Sequence, residues 1–74
     1  MNEELVGYVS TEPAINDGGR ITFQLYLGDA NPVPISCMSS VAFDKSTAFK
    51  EGDHVILKGR KLGLYFSFDT LELC

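Results

Sequence analysis

The octet Arg20-Ile21-Thr22-Phe23-Gln24-Leu25-Tyr26-Leu27 alternates without a break: Ile21, Phe23, Leu25 and Leu27 fall on one side, Arg20, Thr22, Gln24 and Tyr26 on the other. Successive side chains of an extended strand point to opposite faces, so this pattern predicts a strand with one buried face and one free face. Just before it, Asn16-Asp17-Gly18-Gly19 supplies residues that tolerate the positive φ of a tight hairpin. A chain with this hairpin at its centre is expected to build a sheet.

The rest of the sequence supplies the other strands. Glu4 to Ser10 sets Leu5, Gly7 and Val9 against Val6, Tyr8 and Ser10, with Gly7 at a bend or a close backbone contact. Thr11-Glu12-Pro13 breaks that ladder. After a turn over Gly28 to Pro32, a third strand runs from Val33 to Met38, where Val33, Ile35 and Cys37 alternate with Pro34, Ser36 and Met38. Pro34 lacks a ladder donor and places the strand's start at a sheet edge. Ser39 to Lys50 loses the two-residue period, and Val41, Ala42, Ala48 and Phe49 fit one or two short helical turns with Ser39 or Ser40 as N-cap. Glu51-Gly52-Asp53 turns into a fourth strand, His54 to Arg60, with Val55 and Leu57 inside and Ile56, Lys58 and Arg60 outside. Lys61-Leu62-Gly63 turns into the last strand, Leu64 to Leu73. Its inward phase slips from Phe66 and Phe68 to Leu71 and Leu73, which predicts a bulge near Asp69-Thr70.

Five strands with a short helix between the third and fourth predict an all-β fold, a five-stranded Greek-key barrel of the oligonucleotide/oligosaccharide-binding (OB) type. The expected filling is Leu5, Val9, Ile21, Phe23, Leu25, Ile35, Val55, Leu57, Phe66 and Phe68. An SH3-like barrel is the structural alternative. With 74 residues there is room for a single domain, 1–74, and 45% hydrophobic against 22% charged residues is the balance of a folded chain. No apolar stretch reaches the ~18 residues of a membrane span. Met1-Asn2-Glu3-Glu4 is acidic where a secretory signal is basic, so a cytoplasmic protein is expected.

Leu5-Val6-Gly7-x-Val9 followed by Glu12-Pro13, the Asn16-Asp17-Gly18-Gly19 hairpin leading into Ile21-Thr22-Phe23-Gln24-Leu25, and Ala48-Phe49-Lys50-Glu51-Gly52-Asp53-x-Val55-x-Leu57-x-Gly59-Arg60 are similar to segments of the bacterial single-stranded DNA-binding protein family, including its small primosomal relatives. The resemblance spans Leu5 to Leu73. It implies an OB barrel that binds single-stranded DNA or RNA and assembles as a dimer or tetramer. The chain has no Trp, its connections at Gly28–Pro32 and Lys61–Gly63 are short, and Met38 stands where the family carries a stacking ring.

Binders of single strands combine cations for phosphates with flat or soft surfaces for bases. The outward positions supply Tyr8, Tyr26 and Tyr65 as rings, Met38 as a soft contact, Gln24 as a polar contact, and Arg20, Lys58, Arg60 and Lys61 as cations. These nine residues form the expected nucleic-acid site, on the outer faces of the first three strands and the hairpin between the last two. The net charge of -4 predicts weak, salt-sensitive binding. The same residues allow a second assignment: Tyr8 and Tyr26 as cross-strand partners in a contact between copies, and Lys58, Arg60 and Lys61 as a solvated strand edge. Val6, Ile56 and Leu64 have no place in one closed core, which fits a small protein-interaction or oligomerisation module without nucleic acid.

Catalytic, metal and cofactor sites are not expected. Asp53 and His54 are adjacent on a strand and point apart, which leaves His54 an exposed strand residue. Cys37 falls in an inward series, Ser39-Ser40 read as a cap, and the seven glycines lack phosphate-cradling spacing. Cys37 and Cys74 are read as free thiols, and with His54 they do not supply the four ligands of a zinc site.

Overall fold

The computed structural model describes residues 3–28, 33–43 and 49–74. It is all-β, with β1 at Glu3–Val9, β2 at Ala14–Ile15, β3 at Ile21–Tyr26, β4 at Ile35–Ser39, β5 at His54–Leu62 and β6 at Tyr65–Leu73. The sheet runs β1-β5-β6-β4-β3-β2, and a further pairing of β1 with β3 closes the five longer strands into a barrel. β1 and β2 share one edge of β3, β1 opposite Leu25 and Tyr26, β2 opposite Ile21 and Thr22. All neighbours are antiparallel except β4 and β6.

Alternation decides what fills the barrel. Ile21, Phe23 and Leu25 from β3, Val55 and Leu57 from β5, and Phe66 and Phe68 from β6 close on Val9 and Cys37, while Leu5, Ile35 and Leu71 pack at the margins. Gly7 is where the closure needs room: a Cβ there would stand 2.5 Å from the Tyr26 carbonyl oxygen. The phase slip in the last strand is a bulge. Lys58 pairs with Thr70 and Gly59 with Phe68, which leaves Asp69 as the extra residue of β6.

Several expectations are corrected. No helix occurs among the described residues: Ser39 ends β4, 40–43 and 49–50 are irregular, and 44–48 lie outside the described residues. In the described flank Val41 and Ala42 face solvent and form no buried helical stripe. Phe43 and Phe49 close the barrel end, with ring centroids 5.5 Å from Phe68 and 5.3 Å from Phe23 respectively. Ser39 and Ser40 cap no helix. The buried Ser39 hydroxyl accepts the Val41 N–H at 3.1 Å, and the Ser40 backbone N–H donates to the Phe68 carbonyl at 2.8 Å. The third strand starts at Ile35, not Val33, and Val33 is 71% exposed because Pro34 cannot extend the ladder toward it. Leu27 lies past the end of β3 and is exposed. β5 runs on through Lys61 and Leu62, so the last turn is Gly63-Leu64, with Gly63 at φ 59°. His54 is half-buried rather than exposed, because the Tyr8 ring lies on it. Among the described residues no helix is long and apolar enough to cross a membrane.

Candidate functional site

The register of the sheet assembles one outer surface from four strands. Thr22, Met38, Ser67 and Arg60 succeed one another across β3, β4, β6 and β5, and Gln24, Ser36, Tyr65 and Leu62 form the next row. Phe23, Cys37, Phe66 and Phe68 are the inward alternates of the same strands, so the core holds these rows outward. Gln24 and Arg60 are exposed, and Met38 and Tyr65 are half-buried in the sheet surface.

A groove of about 480 Å³ lies over these rows, lined by Thr22, Gln24, Ser36, Met38 and Tyr65, with Thr11, Glu12 and Ala14 as its outer wall. The wall is tied to the sheet through the backbone of β3: the Ser10 N–H donates to the Gln24 carbonyl at 2.8 Å, and the Gln24 N–H donates to the Thr11 hydroxyl at 2.9 Å. Arg20 sits at the far end. Its N–H donates to the Asn16 side-chain oxygen at 3.0 Å, and its guanidinium reaches the Ser39 carbonyl at 3.3 Å. That places a cation above the end of β4. Lys61 lines a second groove of about 360 Å³ with Leu5, Ile35, Leu64 and Tyr65, so Tyr65 stands between the two grooves.

The nine expected residues divide. Gln24, Met38, Tyr65 and Arg60 share the surface just described, with Arg20 and Lys61 at its margins. Tyr8 and Lys58 lie on the outer face of the β1–β5 ladder. Tyr8 pairs with Tyr26 across β1–β3 and stacks on His54, with centroids 4.5 Å apart and planes 17° from parallel. Tyr26, half-buried, joins the two sides at the end of β3. Lys58 stands between Glu4 and Thr70.

Charge follows the same division. β3, β4 and the first half of β6, Tyr65 to Phe68, contain no carboxylate. Glu3 and Glu4 are on β1, Asp69 and Glu72 on the second half of β6, and Asp17, Glu51 and Asp53 in turns; Asp29 and Asp44 lie outside the described residues. Glu12 is the acid that reaches the groove. The Cys37 thiol lies beneath, and burial pushes it up from 9.0 to about 12, so it stays protonated and unreactive at neutral pH. Among the described residues no three His, Cys, Asp or Glu side chains gather to hold a metal ion.

Ser67 and the Thr11–Ala14 wall escape sequence reasoning. Ser67 joins Met38 only through a parallel pairing of segments that are distant in the chain, which no local period records. Comparison with family models and with curated proteins finds no match for this chain.

Proposed function

We propose that this chain is an OB-type barrel that binds single-stranded DNA or RNA, without catalysis, on the outer surface of β3, β4 and the first half of β6. The fold reading is supported by five strands closing into a barrel, with β6 crossing over to lie between β4 and β5. One observation carries the ligand: in a chain of net charge -4, those three strand segments hold no carboxylate, and Arg20 and Arg60 stand at the two ends of the surface. A polyanion is repelled by most of this molecule and least by this face. Tyr65 and Met38 offer a ring and a thioether to base faces, while Thr22, Gln24 and Ser36 offer hydrogen bonds. The likeness of the first hairpin to the single-stranded DNA-binding family points to the same class of ligand.

A fluorescence titration with a short labelled poly-dT oligomer, run at several salt concentrations, tests it. Contact of three phosphates by Arg20, Arg60 and Lys61 makes log K fall with log salt at a slope of about -2, at about -0.7 per phosphate. Arg60→Ala lowers that slope by about 0.7, and Tyr65→Ala weakens binding roughly tenfold, the scale of one lost stack. Tyr8→Ala, on the β1–β5 ladder, leaves the affinity for a short oligomer unchanged. Equal losses from Tyr8→Ala and Tyr65→Ala would refute the assigned face.

A further inference from the structure

The outer face of the β1–β5 ladder carries a patch that the nucleic-acid reading leaves unused. Three cross-strand pairs follow one another along it: Tyr8 with His54, Val6 with Ile56, and Glu4 with Lys58. The inward alternates Val9, Val55 and Leu57 are in the core and Leu5 packs against it, which turns these six side chains to the outside. Val6 is 42% and Tyr8 47% exposed. Tyr8 and His54 spread as one stacked plate beside the aliphatic pair, Glu4 and Lys58 stand at the far end of the ladder, and Glu72 of β6 borders Ile56 at its rim. An apolar centre with a charged end is the profile of a contact surface.

We infer that this face packs against the same face of a second copy, about a two-fold axis that runs along the ladder between β1 and β5. Such an axis lays β1 of one copy over β5 of the other at the same level. Each pair then meets its own complement: Val6 on Ile56, Tyr8 on the stacked plate, and Glu4 over Lys58 twice. An axis across the strands would set the Glu4–Lys58 pair over the Tyr8–His54 plate and leave both charges without an opposite. Charge complementarity therefore selects both the occupant and the axis, and the aligned packing of two sheets accommodates it. Gln24, Met38, Tyr65 and Arg60 lie outside this contact, so the inference is independent of nucleic-acid binding.

Light scattering after size-exclusion chromatography, across a dilution series, reads the outcome. The wild-type chain runs at twice its 8.1 kDa mass. Glu4→Lys alone and Lys58→Glu alone each place like charges over one another and dimerise at least about tenfold more weakly. An equimolar mixture of those two variants restores opposite charges at both positions and recovers dimer within about threefold of wild type. Circular dichroism melts confirm that each variant is folded before mixing. Val6→Glu, at the centre, abolishes the dimer. Wild type at the single-chain mass at the highest concentration, a mixture that stays monomeric, or an assembly larger than two copies each overturns the inference.

Discussion

A side chain at Gly59 would overlap the carbonyl of Ser67 and the Cα of Phe68, the residues that face it on β6. Both contacts are backbone and cannot swing aside, so Gly59→Ala costs about 1–3 kcal/mol or more in urea unfolding. Phe68, fully buried and touching Phe23 and Phe43, loses about 3–5 kcal/mol on replacement by Ala. Cys37 gives the pH dependence its sign. Burial raises its folded pKa to about 12 from 9.0, so above pH 9 the unfolded chain releases a proton that the fold retains. Stability is therefore undiminished by this group below pH 9 and falls as the pH rises toward 12, by on the order of 4 kcal/mol in all. Cys37→Ala removes that component, and a melt series from pH 8 to about 11 on both proteins measures the difference. At pH 8 a thiol reagent labels the exposed Cys74 quickly and Cys37 only in denaturant; two fast thiols would contradict the burial.

At the scale of the element, the bulge at Asp69 is the feature on which register depends. It turns Leu71 toward the side of the sheet held by Phe66 and Phe68, and a one-residue slip would reverse those faces. Deleting Asp69 is expected to abolish the cooperative unfolding transition. Asp69→Ala keeps the residue count, loses the hydrogen bond from the Ser40 hydroxyl, and costs about 1 kcal/mol. Circular dichroism melts separate the two cases. The bulge was legible in the sequence because the slip of apolar phase from Phe68 to Leu71 is a local signal. The hairpin before β3 was legible for a similar reason: the Asn16 side-chain oxygen takes the N–H of Gly18 at 2.9 Å and of Arg20 at 3.0 Å, a turn made entirely from its own residues. In the described parts of the expected helix, 39–43 and 49–50, the outcome differs for the opposite reason. Val41, Ala42, Ala48 and Phe49 fit a helical spacing in the sequence, but Phe43 and Phe49 meet Phe68 and Phe23 at a barrel opening that does not exist until the sheet closes.

Across the whole molecule, closure divides the outer residues into two surfaces with different chemistry. One is the face over β3, β4 and the first half of β6, strand segments that themselves hold no carboxylate; the other is the apolar ladder of β1 and β5 with its acid and base. Their separation predicts that Val6→Glu changes assembly and leaves the affinity for a short oligomer intact. Glu12 is the acid in the wall of the groove, so Glu12→Gln is expected to tighten oligonucleotide binding about threefold at low salt, an effect that fades as salt screens it. Anisotropy at two salt concentrations checks this, and unchanged affinity at low salt would remove the groove from the binding path.

The amino-acid order by itself determined the five longer strands, the inward faces of their central residues, the hairpin and the bulge, because each is a preference of neighbouring residues for opposite sides of an extended backbone or for a turn conformation; the short β2 and the exposure of Leu27, Val33 and Leu73 were not among them. Only the tertiary structure decided which strands became neighbours. Tyr8 met Tyr26 and His54, Met38 met Ser67, and Arg60 came into line with Thr22 through pairings between distant segments, set by how five apolar faces could share one interior. The outer residues were carried to their places by that packing, and so the membership of a surface could not be read from the alternation that made each residue part of one.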